Sequence, residues 1–411
     1  MQEHSRYAVG IDVGTTTIRC VVGHVDPANG TPTIVGVGQA SNSGMRRGTV
    51  VNLNGPAQAI DKALGEAERM SGFEVNDATI SINGSHILST KADGMVAVGM
   101  ADHEIIPDDV RRVEEVATVG KVPANREILE VVPFSYTLDG QGGIKSPLGM
   151  SGTRLEIVAN VISAMGPYVT NLQKATELAT VRPNAVMPSV MAAAKAVLTE
   201  SQIESGVAVI DLGGSTTGVS VFEEGDLQYV GVVPKGGVDI TNDLAIGLRV
   251  DPVIAEQVKL QHAVAAGRKE VQEVSVKHEK ETFTYSTENI DEIIEARLEE
   301  LFELINKELK KAGRAGQLPS GVVLVGGTAN IKGIAEFAKQ HLGVAARVGK
   351  PSGFGGVADG IDAPQFATAV GLMLSDVESV PSESQSHSKT AKASLSQARS
   401  IVGNIFSRFK P

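Results

Sequence analysis

The chain contains no tryptophan and a single cysteine, and aromatic residues fill only 4% of its 411 positions. It therefore lacks the ring platforms on which single-stranded nucleic acid is held. A formal net charge of −11 argues against the positive surface that sequence-independent binding to phosphate backbones needs, so no nucleic-acid partner is expected. The lone thiol, Cys20, cannot close an intrachain disulfide, which suits a reducing compartment. Its place on an apolar strand reads as a small buried hydrophobe. The eight histidines show no i,i+4 pair of the kind that holds zinc on a helix. No uninterrupted apolar run reaches the roughly 18 residues of a membrane span. The polar start MQEHSRYAVG leads directly into a strand, so no signal peptide and a cytoplasmic location are expected.

What is present is ordinary globular material, 42% hydrophobic and 21% charged. Its length suits two to four folding units. One phrase occurs twice. Residues 8–22 read AVGIDVGTTTIRCVV and residues 209–222 read VIDLGGSTTGVSVF. Each is an apolar strand ending in aspartate, a glycine turn with hydroxyls, and a second apolar strand. Strands expected at about 7–13, 18–25 and 33–40 recur across 206–233, and a helix with apolar residues at helical spacing follows the first set. This is an internal duplication of a β-β-β-helix unit.

Residues 84–165 differ in texture. A helix at about 107–118 opens with Pro107-Asp108-Asp109, acids that suit a helix N-terminus, and two strands follow. The segment reads as a small helix-plus-sheet insert. A second insert, 236–300, reads as mostly helical and charged. Beyond Leu374 the composition turns to serine without apolar periodicity, which predicts a flexible linker.

The repeated hairpins carry the chemistry. Backbone N–H groups and hydroxyls at such a turn cradle phosphate oxygens, and glycine lets the backbone approach closely. The candidates are Gly14, Thr15, Thr16 and Thr17 in the first copy and Gly213, Gly214, Ser215 and Thr216 in the second. Asp12 and Asp211, at the strand ends, suit a magnesium ion held through its waters. Gly326-Gly327-Thr328, at a strand-to-helix turn, leaves room for a purine and ribose. Glu256 and Lys259 share a helix face and could hold ribose hydroxyls and base, although a plain ion pair explains them too. Neither hairpin carries lysine. Lys235, beside Gly236 and Gly237, is the candidate phosphate cation.

The last segment, SLSQARSIVGNIFSRFKP, is amphipathic. At about 100° per residue, Leu395, Ile401, Val402, Ile405, Phe406 and Phe409 fall on one side, with Arg399, Arg408 and Lys410 flanking them. That is the pattern of a helix lying in a bilayer interface near anionic headgroups; docking into a protein groove is the alternative.

The two hairpins, the glycine turn and the small-residue helices MPSVMAAAKAVL and FATAVGLML resemble the actin, sugar-kinase and heat-shock-chaperone ATPase superfamily. Within it, the insert with SPLGMSGTRLEIVANVISA, the phrase GGVDITNDLAIGL followed by AEQVK, the stretch VVLVGGTANIKGI and the tethered amphipathic tail resemble FtsA-like bacterial cell division proteins. The resemblance implies an α/β, actin-like (ribonuclease H-like) duplicated two-domain fold with a small α+β insert subdomain. It divides the chain into IA (1–83 and 166–200), IC (84–165), IIA (201–235 and 305–375), IIB (236–304), a linker (376–394) and a membrane helix (395–411). It implies ATP and Mg2+ as cofactors. As partners it implies the C-terminal peptide of FtsZ (with Arg297 taking part), other copies of the chain in a filament, an anionic membrane surface, and other division proteins through 84–165. The expected site of action is the cytoplasmic face of the membrane at the division site. Where the superfamily often brings an acid or amide to position the attacking water, this chain has Met187-Pro188-Ser189, which implies slow hydrolysis at most; catalytic residues stay unknown. A sugar or small-acid kinase and a pilus-assembly adaptor share the core and stay open as alternatives.

Overall fold

Both repeated phrases fold as β-hairpins, and each hairpin starts its own five-stranded sheet. The computed structural model describes residues 6–26, 30–99, 103–268, 270–279, 281–356 and 360–379.

The first lobe begins with β1 (Arg6–Val13), β2 (Thr17–Val25) and β3 (Pro32–Ser41), an antiparallel meander. A two-residue-per-strand hairpin follows, β4 (Met45–Arg46) and β5 (Thr49–Val50), then α1 (Asn54–Ser71) and β6 (Asp77–Ile82). Gly72 ends α1 in the left-handed conformation (φ 68°) that glycine adopts without steric cost. The chain leaves this lobe to build the insert: β7 (Leu88–Ala97), α2 (Pro107–Thr118), β8 (Arg126–Leu138), β9 (Gln141–Ile144) and β10 (Arg154–Met165). These strands form a separate sheet in the order β7-β10-β8-β9. Val113 and Ala117 of α2 close a core with Leu155, Ile157 and Val161. The chain then returns through α3 (Gly166–Leu178), β11 (Arg182–Pro188) and α4 (Ser189–Val197). The first sheet has the order β11-β6-β1-β2-β3.

A short α5 (Glu200–Ser205) leads to the second lobe: β12 (Val207–Leu212), β13 (Thr217–Glu223) and β14 (Asp226–Val233). Next come α6 (Gly237–Leu248), α7 (Pro252–His262), the hairpin β15 (Glu273–His278) and β16 (Glu281–Ser286), and α8 (Thr287–Lys311). The lobe closes with β17 (Val322–Val325), α9 (Ile334–Leu342), β18 (Ala346–Val348) and α10 (Ala367–Ser379). Its sheet, β14-β13-β12-β17-β18, repeats the first one: a three-strand meander, then two parallel strands reached through crossovers. The segment 236–304 is less helical than its sequence suggests. Strands β15 (EVSVKH) and β16 (ETFTYS) alternate polar and apolar residues, with Val274 and Val276 paired to Tyr285 and Phe283 on one face, so a period-two pattern stands between the charged helices.

Helices α4 and α10 lie between the two sheets, and one apolar core runs from the first sheet through them to Val207, Val209 and Val323. Small residues recur in both helices, four alanines in α4 and Ala367, Ala369 and Gly371 in α10, because backbone meets backbone there. A Cβ on Gly371 would collide with the carbonyl oxygen of Ala192, and one on Gly10 with that of Ala369. The far face of the second sheet is covered by α8, through Ile294, Leu298, Leu301, Phe302 and Ile305.

Helix α10 continues through Ser379, past the predicted start of the linker at 376, because its last turn is tied down. Asp376 accepts from the Val9 N–H (2.9 Å), the Thr79 hydroxyl (2.8 Å) and Asn184 Nδ2 (3.1 Å). Lys195 and Glu378 form an enclosed ion pair at 2.5 Å. The amphipathic segment 395–411 and most of the linker lie outside the described residues.

The close crossing of α10 on α4 gives a direct test. Gly371→Val should destabilise the chain by about 1–3 kcal/mol through overpacking. Gly65→Ala, in α1 with open space around it, should be neutral or stabilise by up to about 1 kcal/mol. Urea midpoints of the two variants and the wild type check both.

Candidate functional site

The acids of the two hairpins stand at the carboxyl ends of the equivalent strands β1 and β12, and the lobes bring them to one cleft. The loops touch: a Cβ on Gly214 would lie 2.6 Å from Thr16 Oγ1. Ser81, at the end of β6, accepts from the Val13 N–H (2.8 Å) and donates to Asp12 Oδ1 (2.9 Å), which fixes that carboxylate. Asp211 is buried and takes a hydrogen bond from the Thr368 hydroxyl at the start of α10. A Cβ on Gly326 would come within 2.5 Å of Asp211 Oδ1, so glycine there leaves the acid its space.

Electrostatics at the cleft are strained in favour of a cation. Burial pushes both carboxyls up, and for Asp211 the nearby charge of Asp12 adds to it, taking it to about 7. Arg19 offsets part of this. It is the direct cross-strand partner of Asp12 and lies close enough to both acids to lower their carboxyls. Burial in turn pushes the guanidinium down. Its Nε is enclosed without a hydrogen-bond partner among the described residues, and its head lies 5.6 Å from the Phe366 ring centre. Arg19 was legible in principle. A hairpin whose turn spans 14–17 puts residue 19 opposite residue 12, and counting the register finds it.

The second lobe adds a wall of close backbone contacts. The Gly237 and Val238 N–H groups donate to the carbonyls of Gly213 (3.0 Å) and Gly214 (2.7 Å), and the Thr328 hydroxyl donates to Gly213 (3.0 Å). Lys259 is nearly enclosed. It pairs with Glu256 at 2.7 Å and donates to the Gly237 carbonyl (3.0 Å) and the Thr241 hydroxyl (2.8 Å). Glu256 and Lys259 thus join Gly236, Gly237 and Thr328 in one neighbourhood with the second loop. Lys235 faces Asp239 (3.5 Å), which lines the cavity beside both loops, and Glu300 (3.8 Å). The reason is local, since one helical turn of α6 brings Asp239 back beneath it. Arg297 is likewise engaged, by Asp243 of α6 and Glu300 of its own helix.

This set of groups suits a phosphorylated ligand with a hard divalent ion. Two carboxylates and several hydroxyls are oxygen donors, and no group of three His, Cys, Asp or Glu side chains is placed to cage a metal among the described residues. A cation that keeps waters and shares phosphate oxygens fits such an open pair. Pro188 and Ser189 stand where α4 begins, with Ser189 buried.

Comparisons with known proteins agree with this architecture. A family model described as cell division protein FtsA matches residues 208–371, and one described as an SHS2 domain inserted in FtsA matches 84–163. The cell division protein FtsA of Pseudomonas aeruginosa is 34% identical over 376 residues, covering 90% of this chain and 89% of its own length. Among solved structures, a PilM–PilN type IV pilus biogenesis complex is similar with a TM-score of 0.66 at 18% identity, over 90% of this chain and 98% of that one. MreB5 of Spiroplasma citri bound to ADP is similar with a TM-score of 0.52 at 11% identity, over 90% and 95%. At such identities these structures speak for the fold alone, which is that of the actin-like ATPases, with an SHS2 insert.

The buried like-charge pair predicts a trade-off. Asp211→Asn should raise the stability of the ligand-free protein by about 1–3 kcal/mol at pH 8, because the wild type must hold an ionised, desolvated carboxylate beside Asp12. The same change should weaken binding of any magnesium-bound phosphate ligand. Urea denaturation and calorimetry of the purified variant read the two effects separately.

Proposed function

The chain belongs to the FtsA family of cell division proteins, and on that footing we propose that it is an ATP-binding, self-assembling protein that ties FtsZ to the cytoplasmic membrane during septation. The observation that carries the nucleotide part is the meeting, at one cleft, of two acid–glycine–hydroxyl loops, a glycine turn and an enclosed lysine. On this reading the phosphates lie between Gly14–Thr17 and Gly213–Thr216. Asp12 and Asp211 hold magnesium through its waters, and the ion supplies the countercharge that the buried acids and the phosphates both need. Ribose and base lie along Gly326-Gly327-Thr328 beside Glu256 and Lys259. The fold neighbour solved with ADP is consistent with such a ligand. Because α4 begins with Pro188-Ser189 and offers no carboxylate or amide there, hydrolysis is slow, and the nucleotide acts mainly by fixing how the lobes stand.

The other parts of the reading rest on the sequence and the family. Residues 395–411 form the membrane helix, held on a linker that begins after α10. Each cation near an anionic surface adds on the order of 1 kcal/mol, so a single tail binds weakly. Assembly into a filament links many tails and raises avidity by roughly 10² to 10⁴. Arg297 takes part in FtsZ recognition by exchanging Asp243 or Glu300 for an acid of the incoming peptide, a swap between charge-assisted bonds. The insert at 84–165 meets other division proteins. No helix among the described residues is long and apolar enough to cross a membrane, which is consistent with peripheral attachment.

Calorimetry with ATP and ADP in excess magnesium tests the first part; absence of heat with both removes it. For the second, full-length protein should pellet with anionic vesicles, and a chain ending at 394 should stay in the supernatant. FtsZ tail peptide should pellet only with the tail-intact protein, and Arg297→Glu should weaken that recovery about tenfold or more. A tail-intact variant unable to polymerise that binds vesicles as tightly as wild type would refute the avidity mechanism.

A further inference from the structure

The outer mouth of the cleft holds a cavity of about 370 Å³. Its floor is made by hydroxyl-bearing residues of both loops, Thr15, Thr16 and Ser215. One wall is the β4–β5 hairpin, presenting Arg46 and Arg47, and the facing wall is the first turn of α6, with Asp239.

The hairpin is fastened to the first loop rather than free. The Asn42 N–H donates to the Thr16 carbonyl (2.9 Å), Asn42 Nδ2 to the Gly14 carbonyl (2.7 Å), and the Gly48 N–H to Thr15 Oγ1 (3.0 Å). Gly48, at φ 81°, packs so tightly that a Cβ there would lie 2.7 Å from the backbone of Asn83. Arg47 (φ 47°) and Gly48 (φ 81°) are the two central residues of the hairpin turn, whose twist calls for positive φ at both. The fold thus holds the backbone of the hairpin against loop one, with the exposed Arg46 and Arg47 lining the cavity beside its hydroxyls.

Charge at this mouth is unbalanced. No carboxylate pairs with the side chains of Arg46 or Arg47 among the described residues. Asp239 across the cavity is already engaged by the Gly236 N–H (2.8 Å) and by Lys235 (3.5 Å). Two forked cations and three hydroxyls around one small cavity match a multiply charged tetrahedral oxyanion, with bidentate hydrogen bonds from arginine. The hydroxyl floor also belongs to the phosphate cradle described above, so an anion at the mouth is the outermost phosphate of the same ligand.

We propose that Arg46 and Arg47 form the terminal-phosphate subsite of the nucleotide cleft, so that the β4–β5 hairpin distinguishes a nucleoside triphosphate from a diphosphate. This rests on the nucleotide reading of the cleft. It also gives that reading a mechanical content: the terminal phosphate draws the hairpin of the first lobe toward α6 of the second, which the diphosphate does not reach.

The test is calorimetry of the full chain with magnesium and either ADP or a non-hydrolysable ATP analogue, for wild type, Arg46→Ala/Arg47→Ala and Arg46→Lys/Arg47→Lys. The double alanine variant should lose about 10- to 100-fold in affinity for the triphosphate and less than about threefold for ADP. The double lysine variant should fall between, because lysine keeps charge but not the fork. Equal losses for both nucleotides, or none, would overturn the proposal, provided far-ultraviolet circular dichroism shows the variants folded. If wild type binds neither nucleotide, the cleft reading fails on its own. Pyrophosphate titration then decides the subsite alone: binding lost in the alanine variant upholds an oxyanion site at Arg46 and Arg47, and unchanged or absent binding overturns it.

Discussion

Two carboxylates facing each other across the joint between the lobes are the constraint around which the molecule is arranged. Asp12 and Asp211 close two equivalent strands, and neither can move away, because each strand is central in its sheet. Holding them together is unfavourable by burial and by mutual repulsion. The surroundings offset this with Arg19 opposite Asp12, the Ser81 hydroxyl on Asp12, and the Thr368 hydroxyl on Asp211. What remains is a site in which added positive charge is welcome and the joint between the halves is the place to put it. A ligand that brings a divalent ion and phosphates there changes the balance of forces between lobes, not only the occupancy of a pocket.

The joint works because the packing around it is thin. Alanine and glycine in α4 and α10 let those helices approach the first sheet and each other at backbone distance, and the apolar core continues through them to the second sheet. Helix α10 spans this region end to end. Thr368 at its start touches the acid of the second lobe, and Asp376 at its end is held by Val9, Thr79 and Asn184 of the first. The chain that leads to the basic, amphipathic terminal segment therefore departs from the element most closely tied to the cleft. The insert braces the opposite side, with Lys145 donating to the Glu224 carbonyl (3.1 Å) at the turn between β13 and β14.

Much of this was legible in residue order. The duplicated hairpins, the helix stop at Gly72, the insert at 84–165 and the small-residue helices all depend on local rules of turn chemistry and periodicity. Other features were not. The hairpin β15–β16 does alternate, with Val274 and Val276 opposite Tyr285 and Phe283, but each strand is only six residues long and the charged helices around it dominate the segment. The end of α10 read as linker because Asp376 looks solvent-seeking in sequence, and partners far along the chain, Val9, Thr79 and Asn184 among them, make its burial tolerable. Lys235 reads as a phosphate cation from its neighbouring glycines, and only the fold shows that its ammonium faces Asp239 and Glu300. The other cations at the cleft, Arg19, Lys259 and the pair Arg46 and Arg47, stand on a strand, on α7 and on a hairpin tied to the first loop.

Sequence by itself determined the family, the two equivalent halves and the chemical character of the two loops, because these follow from spacing along a single strand–turn–strand unit. Tertiary structure alone decided that the loops meet, which positive side chains face them and which are neutralised elsewhere. Such pairings join residues up to hundreds of positions apart, and charge interactions depend on distance and burial in space rather than on order along the chain.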